Sequence, residues 1–352
     1  MILPASNPII DYPGDLHYHI SGLIFKMGKY GNHAWVGFGV FFVTLLIFLT
    51  ITDLYSNKPV HNLRKYLHSE TLFLLTIFLS ILILRLPNLI LFEQNPDESQ
   101  WIVEAGTLWK DFRYWISVDG GGPLNTFPLT LINLLGGSLN YTTVRLFGLL
   151  FCIIPSVILI YLAFKTLFDE RVAKIIILPL VVCMSFMNFS DIIAYNREHM
   201  SMLLISISIF LYCRMITLPD KRQLIYLFIL GLTLGSVPYA KLQSAPIALG
   251  MAIFCCMDSL FYYKNDKKKG SKRLMIFVIG GLVPSIFVFF YLISFAIFEV
   301  FWQSYILRCI AYAQKGLSDD RLSWSSKISI LPLLIWTTPH TKYYFISLFI
   351  SA

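Results

Sequence analysis

The sequence predicts an all-α, polytopic membrane protein of about nine to ten transmembrane helices, with a short amphipathic helix in its first long outer loop. Three observations carry that prediction. Hydrophobic residues make up 57% of the 352-residue chain and charged residues only 14%, with a mean hydropathy of +0.68; soluble domains carry about a quarter charged residues. Apolar runs of about 20 residues, the length that matches the hydrocarbon core of a bilayer, recur at 35–49, 72–92, 144–164, 275–298 and 328–350. The net charge of +8 is unevenly spread, much of the excess falling in the short loop 264–273 (KNDKKKGSKR). That is how a membrane protein marks its cytoplasmic side. With no basic-aromatic module beside the charge, nucleic-acid binding is excluded as a function class.

Taken in order, spans are expected near 34–52, 70–91, 143–165, 174–189, 200–217, 223–239, 245–263, 273–297 and 328–349. Residues 1–33 lack the charged start, apolar core and small-residue exit of a cleavable signal peptide. Lys58, Arg64 and Lys65 in loop 53–69, Arg214, Lys221 and Arg222 in loop 214–222, and the lysine-rich loop all belong inside. Loop 92–122 then faces outward, with Glu93, Asp97, Glu98, Glu104, Asp111 and Asp119 against Lys110 and Arg113. Parity decides the apolar segment 123–139, which carries Pro123 and Pro128. Were it a full crossing, the lysine-rich loop would lie outside, so it is expected to dip into the outer leaflet or lie along it. Loop 92–122, the turn 188–200 and the turn 237–243 then share the outer face, where the segment 298–327 joins them. The six cysteines (Cys152, Cys183, Cys213, Cys255, Cys256 and Cys309) lie mostly in apolar segments without metal-ligand spacing and read as buried hydrophobes.

Three outward sites could carry chemistry. Asn95-Pro96 signals a turn, and Asp97 follows where a helix starts and an acid suits the dipole. Trp101, Ala105, Leu108 and Trp109 repeat at helical spacing, as in an interfacial amphipathic helix. Asp97 or Glu98 is either a helix cap or a carboxylate base that takes a proton from an attacking hydroxyl or amine. In 188–200 (NFSDIIAYNREHM), Arg197 is either interfacial charge or a fork of donors for a phosphate. His199 beside Glu198 has no spaced partner for a metal. In 235–246 (GSVPYAKLQSAP), Lys241 stands alone between apolar spans. An ionisable residue costs roughly 2.5–3.5 kcal/mol at a helix centre, less near the interface, so it either snorkels to headgroups or has a task. Gly231 and Gly235, four residues apart, would let another helix approach closely.

Four stretches resemble one family. They are 84–91 with Asn95-Pro96-Asp97-Glu98, Gly122-Pro123-Leu124 with Thr143-Val144-Arg145-Leu146, Tyr195-Asn196-Arg197-Glu198, and the glycine-rich 230–246 ending near Lys241. In their order and spacing the chain resembles the polyprenyl-phosphate-dependent glycosyltransferases of the GT-C class, in the branch of the protein O-mannosyltransferases and lipid A aminoarabinose transferases. The resemblance covers roughly residues 70–300 and implies a catalytic module there. Residues 1–69 form an N-terminal segment with one extra span, and 301–352 an outer loop with the last span. It implies transfer of a sugar from a polyprenyl-phosphate carrier to a glycan, lipid or protein acceptor on the outer face, with inversion. Asp97 would be the catalytic base, Glu98 its neighbouring candidate, and Arg197 and Lys241 the ligands of the donor phosphate. Asp191, Glu198 and Gln243 are second-tier candidates. No cofactor is expected: no nucleotide is needed, in keeping with the absence of nucleotide-binding glycine motifs, and a divalent metal is compatible with the sequence but not indicated by it. A multi-pass protein of the bacterial inner membrane with an outward site is the expected setting. The span at 34–52 precedes the family's usual start and the chain stops soon after its last span, which leaves the acceptor open. Two rival classes remain: a non-enzymatic lipid or glycan transporter or flippase, which would call for repeated halves and charges along a through-path, and a polysaccharide polymerase or ligase of another membrane fold.

Overall fold

The computed structural model describes residues 20, 32–54, 70–91, 93–118, 121–186, 190–262 and 266–315. The elements assigned among them are helices: α1 (Asn32–Leu54), α2 (Glu70–Leu89), α3 (Pro96–Leu108), α4 (Tyr114–Ser117), α5 (Pro123–Leu134), α6 (Tyr141–Leu167), α7 (Glu170–Phe186), α8 (Ser190–Ile193), α9 (Arg197–Ile216), α10 (Asp220–Ala240), α11 (Ala245–Tyr262), α12 (Lys267–Ser294), α13 (Phe298–Phe301) and α14 (Arg308–Lys315). Seven of these segments are long and apolar enough to cross a membrane: those within α1, α2, α6, α9, α10 and α12, and Leu242–Phe261 around α11. The chain is therefore an all-α, multi-pass integral membrane protein. The span expected at 174–189 is α7, which at 17 residues reaches about 25 Å and falls just short of that group. The span expected at 328–349 lies outside the described residues. Segment 123–139 folds as the 12-residue α5, about 18 Å long against a hydrocarbon core of about 30 Å, too short for a full crossing.

Two apolar clusters hold the long helices. In the first, Leu46 and Leu49 of α1, Phe73, Ile77 and Ile81 of α2, Val157 and Tyr161 of α6, and Ile177 and Val181 of α7 are buried against one another. In the second, Leu211 and Met215 of α9 meet Leu227, Leu230 and Leu234 of α10, Cys255 of α11 and Phe277 of α12. The seam between the clusters is the packing of α9 on α6. There α6 widens into a π turn over Gly148–Ile153. Pro155 follows directly, has no N–H to offer and crowds the carbonyl one turn back. Such widened turns occur often at functional sites.

The closest helix pair is α10 on α12, and it depends on glycine. A Cβ on Gly235 would stand 2.2 Å from the Gly281 carbonyl oxygen, and one on Gly231 would stand 2.1 Å from the Phe277 oxygen. The four-residue spacing seen in the sequence is this contact, in which small residues bring two backbones together. Gly235→Leu is expected to cost about 3 kcal/mol by overpacking, read as a lowered unfolding midpoint in detergent. Gly250→Leu, where an added Cβ meets nothing within 4 Å, is the matched control and leaves the midpoint in place.

Hydrogen bonds from α12 position the outer loop. Tyr291 near the end of α12 accepts from the Tyr114 N–H at 2.7 Å and donates to the Phe112 carbonyl, so loop 93–118 sits at that end. The basic run at the start of α12, with Arg214 at the end of α9 and Arg222 at the start of α10, occupies the other end of the bundle.

Candidate functional site

A carboxylate and a guanidinium form the foundation. Glu98 and Arg145 are fully buried and doubly joined: Arg145 Nε donates to Glu98 Oε1 at 2.7 Å and Nη2 to Oε2 at 2.6 Å. Arg145 Nη1 donates further to the Asn88 and Leu91 carbonyls at 3.0 and 2.5 Å. The Tyr195 N–H donates to Glu98 Oε1 at 3.2 Å. One ion pair thus ties the end of α2, the start of α3, the first turn of α6 and the turn before α9. The Tyr195 hydroxyl donates to the Asn125 carbonyl at 2.8 Å, adding α5; burial pushes that hydroxyl well above the usual tyrosine range and keeps it a neutral donor.

On this foundation Asp97 is presented outward. Asn95 caps α3, its Oδ1 accepting from the Asp97 N–H at 2.9 Å, and Pro96 fills the first helical position, where a missing N–H costs nothing. Asn95 Nδ2 donates to Asp191 Oδ1, so Asp191 steadies the turn from which Asp97 projects. The Asp97 side chain stays 44% exposed. Glu98, expected as its neighbouring candidate base, is turned the other way. Consecutive helical residues point about 100° apart, and the inward position is the one Arg145 reaches.

The two expected cations each pair with a carboxylate near the start of α9. Arg197 opens α9, capped by Asn196. Its guanidinium lies over the Trp101 ring, 4.6 Å from the centroid, with Nη2 3.9 Å from Asp97 Oδ2. Trp101 is one turn after Asp97 on α3 and fully buried, so one helix supplies both the carboxylate and the platform for its cation. Lys241 ends α10, and its ammonium contacts Glu198 Oε1. Arg197 and Glu198 are the first two residues of α9, so the pairs Asp97–Arg197 and Glu198–Lys241 gather two carboxylates and two cations around that helix start. Gln243 is exposed on the 3₁₀ turn Leu242–Ser244 and enters no ion pair among the described residues. His199 is buried and serves as a cap, its Nδ1 accepting from the Asn196 N–H at 3.0 Å.

An apolar groove of about 370 Å³ runs between α6, α7 and α9, and Glu198 is the one residue of the two ion pairs on its wall. Val157, Ile160, Leu180, Met202 and Ile205 line it together with Glu198 and Ser244. Glu198 to Ile209, also on its wall, is eleven residues of α9, or about 16 Å of depth.

Residues 121–286 match the model of a family described as dolichyl-phosphate-mannose-protein mannosyltransferase. The chain is similar to the GT-C class of membrane glycosyltransferases. No curated protein and no solved structure matches it. The GT-C match covers Arg145, Arg197, Glu198 and Lys241, and Asp97 lies just ahead of it. The sequence had already pointed to a GT-C glycosyltransferase on short motifs, and the match supports a membrane glycosyltransferase of that type.

Sequence reasoning singled out the four charged residues, read Asn95 as a turn and Trp101 as part of an interfacial helix, and assigned no task to Arg145 or Tyr195. Of those two, Arg145 carried a signal. An arginine one turn into an apolar span is costly without a partner, and only Glu98 or another outer acid could have supplied one. Trp101 read as part of an interfacial belt and is instead the surface on which Arg197 rests.

Proposed function

We propose that the chain transfers a sugar from a polyprenyl-phosphate carrier to an acceptor hydroxyl or amine at the outer face of a bacterial inner membrane, with inversion. The observation that supports this reading best is a single juxtaposition. Asp97 with Arg197 and Glu198 with Lys241, brought from three separate parts of the chain, pair at the start of α9, where Glu198 also borders an apolar groove. A lipid-linked phosphate needs both halves of that arrangement, an apolar channel for its isoprenoid tail and fixed cations for its head. Adaptable methionine lining suits a branched, flexible chain. The outward placement is supported by the basic ends of α9, α10 and α12, which lie at the far end of the bundle from the cluster.

In the reaction the acceptor oxygen or nitrogen attacks the anomeric carbon while Asp97 takes its proton. The bond from that carbon to the phosphate oxygen breaks, and its electron pair leaves with the phosphate, which gains a negative charge. Arg197 and Lys241 meet that charge as it develops, the kind of preorganised stabilisation that is usually the larger catalytic effect. A single displacement with base and leaving group on opposite sides of the sugar inverts the anomeric centre. Glu98 anchors the loop, Asp191 braces it through Asn95, and Gln243 borders the acceptor side beside Lys241.

The purified chain in nanodiscs is expected to release lipid phosphate from a synthetic polyprenyl-phosphate hexose in the presence of acceptor. Lys241→Met is expected to raise the donor KM about tenfold or more, since a charge-assisted contact to phosphate contributes about 1.5–3 kcal/mol. Absence of transfer from every polyprenyl-phosphate sugar tried, or an unchanged KM in Lys241→Met, would remove the reading.

A further inference from the structure

We infer that Glu198 is a displaceable stand-in for the donor phosphate on Lys241, and that it drives the spent lipid phosphate out of the site after transfer. The inference rests on the donor site proposed above and adds a discriminating residue to it.

The cluster is self-neutralised in pairs. Arg197 is covered by Asp97 and Lys241 by Glu198, two positive and two negative groups. A phosphate that takes Lys241 must first dislodge the Glu198 carboxylate. That carboxylate is built to be dislodged. Its side chain is 45% exposed and ends at the lip of the groove, so water receives it when it swings away. Glu98, one carboxylate over, is the contrast: fully buried against Arg145, it cannot leave without stranding a charge.

Displacement does not take Glu198 far. Its backbone is the second residue of α9, fixed next to Arg197, so the carboxylate remains a near neighbour of whatever phosphate replaces it. Like charges at close range repel in proportion to the charge each carries. A polyprenyl-phosphate sugar is a phosphodiester with one negative charge. The lipid phosphate left after transfer is a monoester with about −1.5 to −2 at neutral pH. Glu198 therefore opposes the product more than the donor. Once Asp97 returns its proton to solvent, both carboxylates face that monoester across two cations. The arrangement costs some donor affinity and relieves product inhibition.

The test uses the full chain in nanodiscs with two probes, farnesyl phosphate as the monoester and methyl farnesyl phosphate as the diester. Glu198→Gln keeps the size and the acceptor oxygen facing Lys241 and removes the charge. It is expected to bind farnesyl phosphate about tenfold tighter and the diester only about threefold tighter, and to become more sensitive to inhibition by farnesyl phosphate during turnover. If Glu198 merely positions Lys241, the same variant binds both probes more weakly, and that result overturns the inference, as does unchanged binding or an equal gain for both. Those outcomes leave the donor site standing. Failure of the wild-type chain to bind farnesyl phosphate at all overturns the donor site, and this inference with it.

Discussion

Asp97→Asn is expected to lower kcat for sugar transfer by about a thousandfold, in the middle of the range for loss of a general base, while the donor KM changes little. The split follows from where the carboxylate acts. Asp97 meets the acceptor proton only as the new bond forms, so its removal weakens the transition state and leaves ground-state donor binding in place. Its pairing with Arg197 is loose, at 3.9 Å with both side chains partly exposed, so the structural loss is small. The variant should fold as the wild type does and bind farnesyl phosphate at least as well, since one negative charge has left the site. Transfer from a synthetic polyprenyl-phosphate hexose, followed by mass analysis of the product, measures the effect; undiminished transfer would end the role of Asp97 as base.

Arg145→Ala is expected to be the most damaging single change to the fold of the site, costing about 3–5 kcal/mol. Removing the guanidinium leaves Glu98 as a buried carboxylate without its counter-charge and strips the Asn88 and Leu91 carbonyls of their donor. Arg145→Lys rescues little, because one ammonium cannot reproduce the two parallel donors that Nε and Nη2 offer. The double change Arg145→Met with Glu98→Gln recovers much of the lost stability, since a pair replaced together leaves no stranded charge. Unfolding midpoints in detergent give the stability order. Activity separates the roles. If Glu98 only anchors the loop, the stable double variant retains measurable transfer, whereas Asp97→Asn loses transfer at full stability.

Much of the architecture was legible along the chain because it is written in local composition. A bilayer demands about 20 apolar residues per crossing, and the runs that meet that demand became α1, α2, α6, α9, α10 and α12 within a few residues of where they were expected. That segment 123–139 is not a full crossing was expected from its length and from charge parity, and α5 has a length that fits it. Gly231 and Gly235 announced a close helix contact, because absence of a side chain at a helical repeat has few other uses in a membrane; which helix would fill the contact could not be read. Residues 316–352, including the last expected span, lie outside the described part of the chain.

The site divides the same way. Asp97, Arg197, Glu198 and Lys241 stood out because charged side chains between apolar spans are costly and therefore few. Their grouping needed the fold: Lys241 meets Glu198 from 43 positions away, and Asp97 meets Arg197 from the far side of α6 and α7. The opposite fates of Asp97 and Glu98 were decided there too. In the sequence the two acids are equivalent neighbours. In the structure one stays partly exposed beside Arg197 and the other is locked onto Arg145, 47 residues later. By itself the sequence determined the membrane class, the spans and the small set of charged residues open to chemistry, since each depends on what a residue is and on its near neighbours. Which charges meet, which carboxylate stays free and which becomes an anchor were decided by tertiary structure alone, because ion pairing and burial depend on distances in space that local patterning does not encode.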